Sequence, residues 1–137
     1  MLRLLLERDG KILCAVPLLS SDWLSDELDD ELNLFRGRME VLFRTYSAML
    51  NENRVRMLRT LLQDEDSTLS FKEFMDALKM NPKIVRENAL KLSEAGFIES
   101  PSRGKYQLST LGSMLFIVAG PALLRILDTL REEVDEE

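Results

Sequence analysis

Six basic side chains lie between positions 79 and 105, against three acidic ones, Glu87, Glu94 and Glu99. Six minus three gives this stretch a charge of +3, whereas the whole chain carries −6. Lysine and arginine at this density favour contacts with phosphate oxygens. The basic residues are Lys79, Lys83, Arg86, Lys91, Arg103 and Lys105. The acid is concentrated elsewhere, with six acidic residues in Asp22–Glu31 and six in Asp128–Glu137.

The sequence contains few side chains that are suited to catalysis. There is no histidine and one cysteine, Cys14, which excludes nucleophiles that need histidine and zinc sites built on cysteine and histidine within one chain. The neighbouring carboxylates Asp29, Asp30 and Glu31 fall near a predicted helix start, where the helix dipole stabilises acid. We therefore expect no enzyme, no metal site and no cofactor.

The basic residues lie in a segment patterned as two helices and a β-hairpin. Ser70 and Glu73 form a capping box that predicts a helix from Phe71. Asn81 followed by Pro82 predicts the start of the second helix. The buried face of that helix, at spacing i, i+4, i+7, is Val85, Ala89 and Leu92. Gly96 then ends the helix, and two short strands are predicted at 97–100 and 105–109.

The run Leu92–Ile98, a short hairpin and the run Tyr106–Gly112 resemble the end of the recognition helix and the wing of ArsR-like winged helix-turn-helix regulators of archaea and bacteria. The resemblance implies a homodimeric, cytoplasmic transcriptional regulator that binds double-stranded DNA at a pseudo-palindromic site. In this arrangement the second helix enters the major groove and the wing contacts the backbone. The expected DNA-binding residues are Lys79, Lys83, Arg86, Asn88, Lys91, Arg103 and Lys105.

Two features depart from this expectation. Metal-sensing members of the ArsR-like class use cysteine, histidine and acidic ligands, and here only Cys14 is available. At 100° per residue, Glu87, Leu90 and Glu94 lie near the centre of the exposed helix face, with Ile84 also turned outward. Acids and aliphatic side chains suit a protein contact better than a DNA groove. An alternative function is therefore a winged-helix module for protein–protein contact in a larger assembly.

A long helix is predicted from the cluster Ser20–Asp22 to about Leu50. Its apolar residues are spaced alternately four and three apart, as in a heptad seam. They are Leu28, Leu32, Phe35, Met39, Leu42, Tyr46 and Met49. We interpret this seam as a dimerisation surface; packing across its own domain is the alternative.

The N-terminal segment favours a β-hairpin over a helix, because Asp9-Gly10 separates two apolar runs. Cys14 in the second run is interpreted as a small buried apolar residue. Between the long helix and the capping box, Val55, Leu58 and Leu62 predict a short amphipathic helix. Its arginines, Arg54, Arg56 and Arg59, are interpreted as a solvated face or as partners of the acidic loops, with phosphate contact as a secondary alternative.

The C-terminal segment is predicted to be a helix from Thr110 to about Val134, kinked at Pro121. No charged residue occurs from Tyr106 to Leu124, so a membrane span is one interpretation. We favour burial against its own domain and a second subunit, through Leu123, Leu127 and Leu130. Met1–Leu6 lacks the pattern of a signal peptide, and a single cysteine fits a reducing compartment such as the cytoplasm.

The sequence thus predicts a mainly α (α+β) winged helix-turn-helix fold with long N- and C-terminal dimerisation helices and an N-terminal β-hairpin. The expected boundaries are 1–20 for the hairpin, 21–50 for the first dimerisation helix, 51–112 for the winged helix-turn-helix domain and 113–137 for the second dimerisation helix with its acidic tail.

Overall fold

The computed structural model describes residues 1–136. The first compact unit, Met1–Leu42, contains strands β1 (Arg3–Arg8) and β2 (Lys11–Pro17), a 3₁₀ turn at Ser20–Asp22 and the first part of helix α1 (Ser25–Met49). The second unit begins at Phe43. Its further elements are α2 (Glu52–Gln63), β3 (Thr68–Ser70), α3 (Phe71–Leu78), α4 (Pro82–Glu94), β4 (Ile98–Glu99), β5 (Lys105–Leu108), α5 (Thr110–Ile117) and α6 (Leu123–Asp135).

The predicted N-terminal hairpin is confirmed. Strands β1 and β2 pair antiparallel, with Arg3 opposite Pro17 and a register shift between Leu6 and Glu7. The turn places Asp9 at φ 51° and Gly10 at φ 84°, the left-handed conformation that an Asp-Gly hairpin turn requires. Cys14 is exposed on β2, so its interpretation as a buried residue was wrong. A two-stranded hairpin has no inside of its own, and both faces remain open.

Helix α1 begins at Ser25, three residues after the cluster that was expected to start it. Ser20–Asp22 forms the 3₁₀ turn instead, and Trp23 follows with its indole Nε1 donating to the carbonyl of Pro17 at 3.0 Å. Along the heptad seam Leu32 and Phe35 are 54% and 51% exposed. Met49 at the helix end is buried in the core of the second unit, which corrects its assignment to a dimer surface.

The core of the second unit is formed by α2, α3, α4 and the three strands, with the end of α1 and Phe116 of α5. The apolar face of α4 predicted from the sequence, with Val85 and Leu92, lies in this core. Phe74 of α3 contacts Tyr106 of β5, with ring centroids 5.6 Å apart and planes tilted by 56°. The largest fully buried side chains are Phe74, Phe97, Met57, Leu58, Leu61, Leu92 and Val85.

The sheet of the second unit has three strands in the order β3–β5–β4, all antiparallel. The sequence patterns predicted only the two wing strands. Strand β3 was missed because it is three residues long and runs directly into the capping box of α3. Its pairing of Leu69 with Tyr106 joins the helix-turn-helix to the wing.

The C-terminal helical run contains a π-helical turn at Val118–Ala122 between α5 and α6. Pro121 has no N–H to donate, and the backbone N–H of Leu123 donates to Val118 O, five residues earlier. A local π turn therefore replaces the regular helix at the predicted kink. Of this run, the described residues bury Gly112 and Phe116, whereas Leu111, Leu124 and most other apolar side chains are exposed. Glu137, the end of the predicted acidic tail, lies outside the described residues.

Within residues 1–136, the helical run Thr110–Asp135 is long and apolar enough to cross a membrane by length and composition. It is the one such run in that part of the chain. An apolar helix that binds a protein partner meets the same criterion.

Two glycines provide a matched test of the packing. A Cβ added at Gly112 would lie 2.7 Å from Phe97 Cα and 2.7 Å from Ser109 Oγ, whereas a Cβ at Gly37 in α1 meets no atom within 4 Å. We expect Gly112→Ala to lower the free energy of unfolding by about 1–3 kcal/mol, because backbone must shift. Gly37→Ala should leave it unchanged or raise it by up to about 1 kcal/mol, from helix propensity. Urea unfolding followed by circular dichroism measures both, and equal effects would contradict the close approach of α5 to Phe97.

Candidate nucleic-acid interface

The turn between α3 and α4 sets the start of the candidate recognition helix. Asn81 is the N-cap of α4, and its Oδ1 accepts a hydrogen bond from the backbone N–H of Ile84 at 2.9 Å. Before it, Lys79 has φ 53° and ends α3 in the left-handed conformation. The Arg56 Nη2 group of α2 donates to Leu78 O at 2.8 Å, which satisfies a carbonyl at the end of α3. The two helices therefore meet in a turn with satisfied ends.

The predicted capping box of α3 is present. Ser70 Oγ accepts from the backbone N–H of Glu73 at 3.1 Å, and Glu73 Oε1 accepts from the backbone N–H of Ser70 at 3.0 Å. The hydrogen bond from the Ser70 backbone, and then that from its hydroxyl, lowers the pKa of Glu73 below its ordinary value of 4.5, and Lys105 adds a favourable charge. The carboxylate is therefore ionised at neutral pH, which the cap requires.

A backbone hydrogen bond links the wing turn to the first residue of α3, next to the pairing of β3 with β5. The turn closes as Lys105 N donates to Ser102 O at 3.1 Å, with Gly104 at φ 77°. Ser100 Oγ lies 2.8 Å from Lys105 O, across the base of the wing. Phe71 N then donates to Gly104 O at 2.9 Å. This bond fixes the wing tip, including the exposed Arg103, against the helix-turn-helix.

Arg86 of α4 lies on the same side as the wing. Its guanidinium carbon is 5.0 Å from the centre of the Phe71 ring, within the range of a cation–π contact. Because Phe71 also donates to Gly104 O through its backbone, Phe71 contacts both Arg86 and the wing residue that lies between Arg103 and Lys105. We call this set, Arg86, Arg103 and Lys105, the wing-side cluster. The role of Phe71 in joining its parts was not predicted, because the sequence marked Phe71 only as the first residue of a helix.

The outward face of α4 mixes charge signs. Lys83 Nζ lies 4.0 Å from Glu87 Oε1 in an i, i+4 pair on the exposed surface. One helical turn further on, Leu90 is 60% exposed. Ile84, expected to turn outward, is half-buried and packs against the core. Lys83 thus remains available at the helix N-terminus, next to an acid that offsets its charge.

Asn88 has to be removed from the expected DNA-binding set, because its side chain is buried. Its Oδ1 accepts from Arg54 Nη1 at 3.1 Å, and its Nδ2 donates to Ile84 O at 2.8 Å. Arg54 is itself only 8% exposed, which corrects its interpretation as part of a solvated face. A polar residue at the edge of an apolar stripe can point either way, and the sequence holds no signal for this pairing.

The remaining expected contacts lie apart from the wing-side cluster. Lys91 is five residues beyond Arg86, which at 100° per residue puts it about 140° away around α4. It lines a groove with Arg54 of α2 and Ser47 of α1. Lys79 is exposed in the turn before α4. Among residues 1–136, no group of three or more acidic, cysteine or histidine side chains could hold a metal ion.

The capping box predicts a pH-dependent stability. Glu73→Ala should destabilise the protein at neutral pH, because the carboxylate no longer accepts from Ser70. A carboxyl with a lowered pKa stabilises the fold above its unfolded pKa of about 4.5, and loses that effect as the pH falls through its lower folded pKa. The difference in unfolding free energy between wild type and Glu73→Ala should therefore shrink from pH 7 towards about pH 3. Urea titrations at each pH measure it, with Glu65→Ala in the exposed α2–β3 loop as control. A difference independent of pH would contradict the cap.

Comparisons with known proteins identify the fold. The sequence matches no family model, and no curated protein matches it. Sco5413, a MarR family transcriptional regulator from Streptomyces coelicolor, superposes with a TM-score of 0.52 at 17% identity over 82% of this chain and 88% of that one. The winged helix-turn-helix DNA-binding domain of Mb0332 from Mycobacterium bovis, a possible ArsR-family regulator, gives a TM-score of 0.54 at 20% identity over 69% and 84%. This chain therefore has the winged helix-turn-helix fold found in ArsR and MarR family transcriptional regulators.

Proposed function

We propose that this protein is a homodimeric, cytoplasmic transcriptional regulator that binds double-stranded DNA through α4 and the wing. The observation that carries the proposal is the wing-side cluster, in which Phe71 joins Arg86 of α4 to the wing tip. In a winged helix-turn-helix, the second helix lies in the major groove and neighbouring cations contact the phosphate backbone. The Phe71 ring holds Arg86, and the hydrogen bond to Gly104 O holds the wing backbone, so both are positioned before DNA arrives, which lowers the entropy cost of binding.

The charge distribution supports contact with the phosphate backbone. Lys83 begins α4, where the positive end of the helix dipole adds to the attraction for phosphate. Arg103 and Lys105 extend the positive surface along the wing. The two longest acidic stretches of the chain, 22–31 and 128–137, are separate in sequence from the helix-turn-helix and the wing. The net charge of −6 therefore does not describe the surface that would meet DNA.

The solved structures of the same fold support the two parts of the proposal. The Mycobacterium bovis fragment is described as a homodimeric DNA-binding domain, and Sco5413 as a transcriptional regulator. At 20% and 17% identity these likenesses concern the fold, so the function of this chain rests on its own residues.

Exposed apolar side chains on α1 support dimerisation. Leu32, Phe35, Leu42 and Tyr46 of the heptad seam are exposed, with Leu28 and Met39 half-buried. Leu34 and Val41 lie beside the seam and line a shallow groove with Phe35. A helix with this much unburied apolar surface is stabilised by packing against a second helix.

Helices α5 and α6 present a second apolar surface. Leu123 and Leu127 are exposed, Leu130 is half-buried, and Leu111 and Val118 of the preceding segment are also exposed. The opposite positions of α6 carry charges, including Arg125, Asp128 and Glu132. Charge along one side of α6 suits a helix between protein and water better than one inside a bilayer. We assign this surface to the same homodimer.

A second candidate function is a winged helix that binds another protein. The exposed Leu90 beside Glu87 favours it, because an aliphatic side chain between acids is poor chemistry for a DNA groove. In that case α4 would meet a basic, partly apolar protein surface, and the wing-side cluster would contribute little.

We expect wild-type protein to bind mixed-sequence duplex DNA with an affinity that falls as salt rises. The variant Lys83→Glu/Arg86→Glu/Arg103→Glu should bind at least about a hundredfold more weakly at about 50 mM salt, because three phosphate contacts become repulsive. The single variant Arg86→Ala should reduce the slope of log affinity against log salt concentration by about one, the value for one lost phosphate contact. Fluorescence anisotropy of labelled DNA measures both quantities.

A matched control carries the same change in charge away from α4 and the wing. Arg3→Glu/Arg8→Glu/Lys11→Glu alters exposed side chains of the N-terminal hairpin and should retain most of the affinity. If both triple variants bind equally weakly, net charge alone governs binding and the proposed surface is wrong. If the wild type does not bind at about 50 mM salt, the DNA-binding function is rejected in favour of the protein-binding one.

The dimer surface has a separate test. Leu32→Lys/Phe35→Lys places two charges on the heptad seam and should convert a dimer into a monomer, because buried lysines would be unpaired. Asp30→Lys/Asn33→Lys on the outer face of the same helix should remain dimeric. Sedimentation velocity over a range of concentrations distinguishes the species. A wild type that is monomeric throughout, or a seam variant that stays dimeric, would rule out dimerisation through α1.

A further inference from the structure

A buried arginine in the second unit has no acidic partner. Arg54 Nη1 donates to Asn88 Oδ1 at 3.1 Å, and Arg54 Nη2 donates to Ser47 O at 3.1 Å. Both acceptors are neutral, and Arg54 Nε is buried with no hydrogen-bond partner. Across residues 1–136, no carboxylate forms an ion pair with this guanidinium. A buried charge without a counter-charge is costly, so the site favours an anion supplied from outside.

The guanidinium borders a groove large enough for a small molecule. The groove has a volume of about 440 Å³ and lies between the end of α1, the start of α2 and the last turns of α4. Ala48 and Ala95 leave room in its walls, and Lys91 adds a second cation. Arg44 also lines it, and Glu94 is its one acidic lining residue. Organic ligands occupy pockets of about this size, whereas a bare inorganic anion would leave most of it to water.

We propose that this groove binds a small organic oxyanion, whose carboxylate or phosphate group pairs with Arg54 and Lys91. Arginine suits the task because its planar guanidinium has five N–H donors, and the contacts to Asn88 and Ser47 use two of them. Carboxylate and phosphate present the same paired oxygen atoms, and the body of the ligand packs beside Ala48 and Ala95. Ligand binding at this site does not depend on the proposed DNA-binding function.

The location of Arg54 allows a bound ligand to affect α4. The same guanidinium bonds to Ser47 in the last turn of α1 and to Asn88 in the middle of α4. An anion that draws the guanidinium towards the groove competes with both hydrogen bonds. Binding therefore alters how α4 is held against the end of α1, and so alters DNA affinity. This second step rests on the proposed function.

Isothermal titration calorimetry on the full chain at constant low ionic strength tests the binding step. Hexanoate and phenyl phosphate are the organic probes, with acetate and inorganic phosphate as their head groups alone. We expect one organic probe to bind more tightly than its head group, and the one that binds identifies carboxylate or phosphate as the recognised group. Absence of binding by both organic probes up to about 10 mM overturns the proposal. Binding of the head groups as tight as that of the organic probes overturns the assignment of an organic ligand.

Variants of the groove residues test whether the anion binds at Arg54. Arg54→Gln keeps a hydrogen-bonding side chain without the charge and should weaken binding at least about tenfold. Arg56→Gln is the matched control, because Arg56 lies on the same helix and donates to Leu78 O outside the groove. Lys91→Glu, at an exposed position, should also weaken binding, whereas Lys72→Glu on α3 should not. The Lys91→Glu variant keeps the test valid if Arg54→Gln does not fold. Equal binding by wild type and by the folded groove variants overturns the site.

The effect on DNA is measured separately. Anisotropy with a saturating amount of the bound probe should shift the DNA affinity of the wild type and leave that of Arg54→Gln unchanged. A calorimetric signal without any DNA binding rejects the regulator function and retains the anion site. An unchanged DNA affinity in the presence of bound probe rejects the regulatory step alone.

Discussion

The burial of one face of α4 determines where every candidate contact of this protein lies. Val85, Ala89 and Leu92 are covered by the core, so the positions between them are fixed in direction. One flank turns Arg86 towards α3 and the wing, and the other turns Lys91 towards the end of α1. Removing about two or three large apolar side chains from water supplies several kcal/mol, far more than any surface ion pair. The polar contacts act within a geometry that hydrophobic packing sets.

The two flanks have different chemistry, although they belong to one helix. On the wing side, Arg86 is exposed and lies over the Phe71 ring, which leaves its charge free to attract phosphate, and Arg103 and Lys105 are exposed as well. On the α1 side, α4 meets Arg54 of α2, which is buried and donates to the neutral oxygens of Asn88 and Ser47. Between the two flanks, the opposite charges of Lys83 and Glu87 largely cancel, so this pair contributes little electrostatic potential. A duplex would therefore be held mainly through its backbone, and sequence preference would depend on few side chains.

Local sequence signals predicted much of the fold. The capping box at Ser70 and Glu73, the Asn81 cap and the Asp-Gly turn act through neighbouring residues, so their geometry can be inferred without the rest of the chain. The environments of Arg54 and Asn88 could not be inferred, because they are 34 residues apart and become partners only after α2 and α4 pack. The burial of Met49 and the exposure of Cys14 likewise depend on which surfaces the chain brings together, and heptad or strand patterns do not encode that.

The π turn at Val118–Ala122 affects the register of the C-terminal apolar seam. One line of large apolar residues runs through Val118, Leu123, Leu127, Leu130 and Val134, so a spacing of five occurs once among spacings of four and three. In a regular α-helix a spacing of five would rotate the later residues by about 140° away from the earlier ones. A turn closed by a bond from residue 123 to residue 118 absorbs the additional residue, and the seam stays on one side. The helix thus behaves as a heptad repeat with one inserted residue. A regular α-helix with the same seam would be one residue shorter at this point and would lack the proline.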